Sequence, residues 1–290
     1  MILSHIVSRL LPLYEPSEAR AVAFALLEDA FGLTRTDVYA GKVTQFSAEQ
    51  AARLEALLQR LCAGEPLQYA IGTARFCDGV YAVTPATLIP RPETEELVLW
   101  AEAEAHTIAA AGPREAPLRL LDAGTGSGCI AIALAHRLGS RWQVEAWDVA
   151  EDTLDVARRN ASAHGVSVDF RLCDLLAAAA APADRPSLDL IVSNPPYVCH
   201  RERADMTPQV LLHEPARALF VPDDDPLLFY RALLQLALAR LRDGGSLLVE
   251  VNRAYATATA DLFRSGGLHD VRLRHDAFGN PRMVGARKSV

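Results

Sequence analysis

The sequence has no uninterrupted apolar run near the ~18 residues of a membrane-spanning helix, although half of its 290 residues are hydrophobic. It has no basic surplus either: 29 Lys and Arg stand against 36 Asp and Glu, a net charge of −7. A chain that grips nucleic acid through its phosphates carries the opposite balance. Neither part hides a basic arm, since residues 1–75 hold 7 basic and 8 acidic side chains and the remainder 22 and 28. Stable nucleic-acid binding is therefore not expected. Cysteine is scarce: Cys62, Cys77, Cys129, Cys173 and Cys199 are odd in number and never closely spaced, which argues against a zinc knuckle or a CxxC redox pair. They read as small buried hydrophobes in a reducing compartment. The eight histidines include no HExxH or other ligand spacing, so no metal is expected. The N-terminus, MILSHIVSRLLPLYEP, lacks a charged leader followed by a long apolar core and a small-residue cleavage site. The expectation is a cytoplasmic protein without membrane association.

What is present is enough apolar surface for one large or two modest domains. Residues 1–75 read as a small helical domain. Ser17 is a candidate N-cap for EARAVAFALLEDAF with Gly32 as its stop. Ser47 and Gln50 form a capping-box pattern ahead of a stripe at Leu54, Leu57, Leu58 and Leu61. Residues 76–92, FCDGVYAVTPATLIPRP, read as a short hairpin and a stiff connector. Residues 93–290 alternate strand and helix patterns. Strands are predicted at 118–121, 144–147, 168–172, 188–192, 246–251, 271–275 and 282–286, with helices over 93–110, 128–138, 151–164, 226–241 and 255–264. That alternation implies an α/β, doubly wound parallel sheet. The six residues between the last two strands are too few for a helical crossover, so these two pair as an antiparallel hairpin.

Chemistry concentrates at the predicted strand ends. The first strand runs into Asp122-Ala123-Gly124-Thr125-Gly126-Ser127-Gly128 before a helix. Glycines there let the backbone turn sharply and approach a ligand at the carboxyl edge of the sheet. A dinucleotide fingerprint needs a third glycine where Cys129 stands, and no P-loop lysine follows. The second strand ends in Asp148, a carboxylate able to accept from both hydroxyls of a ribose. Asp174, after the third, suits either an adenine amino group or a turn cap. The fourth strand leads into Asn194-Pro195-Pro196-Tyr197. The prolines stiffen this loop and remove its amide donors. It presents an Asn oxygen, a backbone carbonyl at Pro195 and an aromatic face at Tyr197, three features that fit a planar –NH2 group. His200 and His213, which follow, read as surface or loop-packing residues.

DAGTGSG, the strand-end Asp148 and SNPPY together resemble a methyltransferase that acts on an exocyclic or amide nitrogen with S-adenosylmethionine. The segments GEPLQY (64–69) and TPATLIPRPETE (84–95) extend the likeness. From about residue 60 to 287 the chain resembles the peptide chain release factor glutamine methyltransferases, the HemK/PrmC family. The resemblance implies a Rossmann-like seven-stranded methyltransferase sheet with a small N-terminal helical domain that docks a class 1 release factor. The implied reaction methylates the side-chain amide of the glutamine in the factor's Gly-Gly-Gln tip and leaves S-adenosylhomocysteine. It places Gly124, Thr125, Gly126, Ser127, Gly128, Asp148, Asp174 and Leu175 around the cofactor. Asn194 then touches cofactor and substrate, and Asn194, Pro195, Pro196 and Tyr197 hold the glutamine. Arg91, Glu93 and Thr94 shape the pocket near the reactive end, and the enzyme is expected to be a monomer.

Three places depart from the family pattern, one of them a slightly altered terminal turn at Phe278-Gly279-Asn280-Pro281-Arg282. Leu175 stands where an aromatic is common. Asn252 stands where a glycine is common, and is expected to tolerate the left-handed turn such a glycine implies. The alternatives are glutamine methylation of a ribosomal protein, which sister enzymes with the same motifs perform, adenine-amino methylation of nucleic acid, a sensor of S-adenosylmethionine, and a dehydrogenase. The acidic balance counts against nucleic acid, the intact NPPY against a sensor, and Cys129 against a dehydrogenase.

Overall fold

The computed structural model describes residues 2–111, 116–179 and 187–289. The chain forms two compact units, Met1–Thr73 with Met206–Glu214, and Ala74–Asp205 with Pro215–Val290.

The first unit is helical: α1 (Ile2–Leu10), α2 (Pro16–Phe31), α3 (Arg35–Tyr39), α4 (Ala48–Cys62) and α5 (Leu67–Ile71). The start of α4 follows its sequence: Ser47 Oγ accepts from the Gln50 amide at 3.2 Å, and Gln50 Oε1 accepts from the Ser47 amide at 3.0 Å. These reciprocal bonds satisfy two amides that a helix start leaves open. Leu54, Leu57, Leu58 and Leu61 are all buried, in one core with Ile6, Leu10 and Leu26. Ser17, however, does not cap α2. The helix begins two residues earlier, with Glu15 at the cap and Pro16 in its first turn. Proline is suited to that place because its φ is preset and its missing amide is one the helix would leave unpaired anyway. Gly32 ends α2 at φ +67°.

In the second unit, β1 (Thr73–Phe76) and β2 (Gly79–Ala82) pair as a hairpin, slightly earlier than the sequence placed it. Then follow α6 (Pro92–Ala110), β3 (Leu118–Ala123), α7 (Cys129–Leu138), β4 (Trp142–Asp148), α8 (Glu151–Ala163), β5 (Asp169–Leu172), α9 (Leu175–Ala179), β6 (Leu188–Ser193) and the short β7 (Val198–Cys199). Here the chain leaves for α10 (Pro208–His213), which belongs to the helical unit, where Gln209 Nε2 donates to the Tyr14 hydroxyl at 2.6 Å. It returns through β8 (Phe220–Val221), α11 (Leu228–Arg240), β9 (Leu241–Glu250), α12 (Ala256–Ser265), β10 (Leu268–His275) and β11 (Pro281–Lys288). His200 stacks on Phe220 with ring centroids 5.1 Å apart, a packing role as expected.

Seven strands form one sheet in the order β10-β11-β9-β6-β3-β4-β5. The five from β9 to β5 run parallel, while β11 is antiparallel to both β9 and β10. The seven-stranded α/β sheet with a terminal hairpin is thus as the sequence implied. Helices α6, α7 and α8 cover one face over a core that includes Leu97, Trp100, Ile130 and Leu134. Helices α9, α11 and α12 cover the other over Leu175, Tyr230, Leu233 and Phe263. Chain order runs outward from β3 through β4 to β5 on one side and from β6 to β9 on the other. The break between β3 and β6 is a topological switch point, where open α/β sheets bind their ligands.

Among the described residues, no helix is long and apolar enough to cross a membrane, and no group of three or more His, Cys, Asp or Glu is placed to hold a metal ion.

Candidate active site

A cavity of about 340 Å³ opens at the carboxyl ends of β3, β4, β5 and β6. Ten of the twelve residues expected around the cofactor and the substrate amide line it: Gly124, Thr125, Gly126 and Ser127 after β3; Asp148 at the end of β4; Asp174 and Leu175 after β5; and Asn194, Pro195 and Pro196 after β6. Two do not. Gly128 lies beneath the turn as the residue before α7, and Tyr197 turns its hydroxyl to Glu250 at 3.0 Å.

The glycine turn is shaped from within. Gly124, Gly126 and Gly128 have φ of +81°, +57° and +82°, a region side-chain-bearing residues avoid. The Gly124 and Thr125 amides both donate to the Trp147 carbonyl, at 2.9 and 2.8 Å, which ties the turn to the end of β4. At Gly128 a Cβ would also lie 2.9 Å from Ile132 Cδ1 and 3.1 Å from Ala157 Cβ. Gly128→Ala therefore combines a left-handed alanine, roughly 1–2 kcal/mol, with overpacking of roughly 1–3 kcal/mol. The expected loss is about 2–5 kcal/mol, read by a lower denaturation midpoint at unchanged m.

Asp148 serves both the turn and the cavity. Its Oδ2 accepts from the Gly126 amide at 3.0 Å and its Oδ1 from the Ala150 amide at 3.1 Å. A carboxylate has about four acceptor sites, so two remain for a ribose diol. Burial pushes its pKa up, opposed by these backbone donors and by Arg217. Asp174 caps the start of α9, its Oδ1 accepting from the Leu176 amide at 2.9 Å while the residue still lines the cavity. The turn-cap reading is thus observed.

Asp122 lies fully buried below the turn. Its Oδ2 accepts from Thr125 Oγ1 at 2.6 Å and from the Ala131 amide at 3.1 Å, while Oδ1 has no hydrogen-bond partner among the described residues. Burial pushes its pKa from an ordinary 3.8 up to about 7. Asp122 does not line the cavity and acts on the glycine turn from below, so S-adenosylmethionine would meet the residues that do line it. The Asp148 carboxylate fits its ribose, and the apolar Leu175, Leu176 and Phe229 fit a flat base. The pKa shift also predicts a pH dependence. Because the folded value is the higher one, the carboxyl's contribution to stability is complete below pH 3.8 and is lost as pH rises through about 7. Asp122→Asn keeps an acceptor for Thr125 and Ala131 without the charge. Without cofactor it is expected to be more stable than wild type at pH 8, by on the order of 4 kcal/mol, with the gain vanishing by pH 4 in parallel melts.

At the end of β6, Asn194 Nδ2 donates to Thr94 Oγ1 at 3.1 Å, and Thr94 Oγ1 donates to Glu250 Oε2 at 2.7 Å. Of the residues expected near the reactive end, Arg91 and Thr94 line the cavity and Glu93 does not. Glu250, 1% exposed, accepts from both Thr94 and Tyr197. No motif in the sequence points to this role. It also missed Arg217, which lines the cavity and bonds the Ala86 carbonyl, Asp152 and Thr153. Cys129 lines the cavity too, but burial pushes its thiol up to about 12. It is therefore a packing residue and not a thiolate nucleophile.

Asn252 is not left-handed: its φ is −62°, and it caps the following turn, with Oδ1 accepting from the Ala254 amide at 2.9 Å. Its Nδ2 donates to the Tyr197 carbonyl at 3.2 Å and to Glu202. A glycine would lack both contacts, so asparagine is here a cap and a brace for the loop.

Comparison with known proteins agrees with the geometry. Residues 2–72 match the PrmC N-terminal domain model, and residues 109–222 the methyltransferase small domain model. A release factor glutamine methyltransferase of Bacteroides thetaiotaomicron is 40% identical over 99% of both chains. One from Flavobacterium psychrophilum is 36% identical over 96% of this chain and 95% of its own. Among solved structures, the hMettl16 catalytic domain aligns with a TM-score of 0.52 at 17% identity, covering 84% of this chain and 82% of that one. A T. thermophilus 16S rRNA methyltransferase in complex with AdoMet and guanosine aligns at 0.50 and 19%, over 74% and 49%. These two likenesses speak to the methyltransferase fold alone. With that fold, the strand-end cavity and full-length relatives of one name, the chain belongs to the release factor glutamine methyltransferase family.

Proposed function

We propose that this enzyme methylates the side-chain amide nitrogen of the glutamine in the Gly-Gly-Gln motif of class 1 peptide chain release factors, taking the methyl group from S-adenosylmethionine. The observation that carries this reading is the rigid Asn194-Pro195-Pro196 wall, set beside the glycine turn and Asp148 in one cavity. When bound, S-adenosylmethionine supplies an activated sulfonium methyl group, so the departing sulfur needs no acid. The chain's task is alignment. An amide nitrogen is a weak nucleophile because its lone pair is delocalised, and positioning alone supplies up to roughly 7–11 kcal/mol. Asn194 Oδ1 and the Pro195 carbonyl accept the two N–H groups of the substrate amide and stabilise positive charge as it develops on nitrogen. No general base is assigned, since the methylated amide gives up its extra proton readily to water or to a neighbouring carbonyl. The helical unit docks the release factor, and the enzyme works as a cytoplasmic monomer.

The test offers labelled S-adenosylmethionine with a release factor and, in separate reactions, with DNA, rRNA and ribosomal proteins. Label on the release factor that disappears when its tip glutamine is replaced is the expected result. Label on nucleic acid or on a ribosomal protein instead would overturn the assignment.

A further inference from the structure

The carboxylate of Glu250 sits at the end of β9, beside the loop that carries Asn194, and two hydroxyls converge on it. Thr94 Oγ1 reaches Glu250 Oε2 at 2.7 Å and the Tyr197 hydroxyl reaches Oε1 at 3.0 Å. Glu250 and Thr94 are 1% and 3% exposed. An ionised carboxylate only accepts hydrogen bonds, and a hydroxyl has one proton to give. With that proton committed to Glu250, Thr94 Oγ1 faces Asn194 as an acceptor only. The Asn194 amide must then present Nδ2 to it, as it does at 3.1 Å. Oδ1 is left as the polar atom that Asn194 offers to the cavity it lines.

We propose that Glu250 and Thr94 are positioning residues that fix the polarity of the Asn194 side chain, so that an acceptor and not a donor meets the substrate –NH2. The inference rests on the glutamine-methylation reading and explains how that reading's central contact is enforced. Asparagine is nearly symmetric in shape, and a flipped amide would set N–H against N–H. Packing does not distinguish the two orientations; the direction of the Glu250–Thr94–Asn194 chain does. Burial raises the Glu250 carboxyl above its ordinary value and the nearby Glu93 charge adds to the rise, while the two hydroxyl donors and the Arg282 charge oppose it.

The test is Thr94→Val, which keeps the shape and deletes the hydroxyl, beside Thr94→Ser, which restores it. Single-turnover methyl transfer to a release factor is measured at saturating cofactor, together with the KM for cofactor. Thr94→Val is expected to slow transfer about 10–100-fold, the cost of an unsatisfied polar contact, with a much smaller change in KM. Thr94→Ser is expected to recover most of the rate. A valine variant as fast as wild type, or a serine variant as slow as valine, overturns the proposal. If wild type itself leaves the release factor unlabelled, it is the proposed function that fails. Neutron diffraction on the wild-type enzyme decides the polarity independently of substrate and of how the variants fold. Deuterium is expected on the Asn194 atom facing Thr94 and on Thr94 Oγ1 toward Glu250, and the reverse pattern overturns the proposal.

Discussion

Asn194→Ala is expected to lower kcat by about 10²–10³-fold or more, the range seen when one preorganised polar group is removed from a reaction centre, while the protein still folds and binds cofactor. The side chain is half-buried at the cavity wall and its amide bonds Thr94 Oγ1. Losing one such bond costs about 1 kcal/mol of stability, small beside the 5–15 kcal/mol of a typical domain. The wall itself persists, because Pro195 and Pro196 fix their own φ and Ser193 Oγ anchors the end of β6 to the Ala123 carbonyl at 2.6 Å. The effect should therefore fall on the chemical step. Calorimetry should still find cofactor binding, with a loss of affinity small beside the loss of rate, and labelled S-adenosylmethionine should transfer almost nothing in a single turnover. Wild-type transfer by this variant would remove Asn194 from the mechanism.

The parts of this site legible in the sequence are those written in consecutive residues. The glycine turn, the strand-end Asp148 and the Asn194-Pro195-Pro196 wall each combine a local backbone constraint with a fixed place at the end of a strand. Parallel β-strand order then brings three such places together without further instruction, since Asp122 pairs with Ala146 on one side and Val192 on the other. What was not legible depends on partners distant in sequence. Thr94 and Glu250 are 156 positions apart and meet because the start of α6 and the end of β9 reach the same edge. Arg217 meets Ala86 across 131 positions. The excursion through α10 is equally non-local: PQVLLH is a short apolar helix pattern that buries none of its residues and does not declare which unit it will join. Ser17 and Asn252 fail for a different reason. Both are residue types that suit more than one backbone role, and Pro16 and the turn at Arg253–Tyr255 decide which is used.

Asp148→Ala should act on binding and not on the chemical step. In the folded protein the carboxylate holds the Gly126 amide on one oxygen and the Ala150 amide on the other. It thereby fixes the turn after β3 relative to the start of α8, and its remaining acceptor sites face the place proposed for the ribose. Alanine removes all of this at once. Two backbone amides lose their acceptor, the Gly126 peptide is free to rotate, and two ribose hydroxyls must be desolvated without compensation. Hydrogen bonds to charged groups contribute about 1.5–3 kcal/mol each, and the pair to the ribose alone corresponds to a rise in cofactor Kd of about 100-fold or more. Stability should fall by only about 1–2 kcal/mol, because the vacated amides lie near solvent and the turn keeps its two bonds to the Trp147 carbonyl. Calorimetric titration with S-adenosylhomocysteine measures the affinity, and thermal melts with and without it separate lost binding from lost fold. At cofactor concentrations that saturate the variant, the rate of transfer should return to within a few-fold of wild type, since Asn194, Thr94 and Glu250 keep their geometry. A variant that binds cofactor normally but transfers slowly would mean that Asp148 serves the reacting centre instead of the ribose.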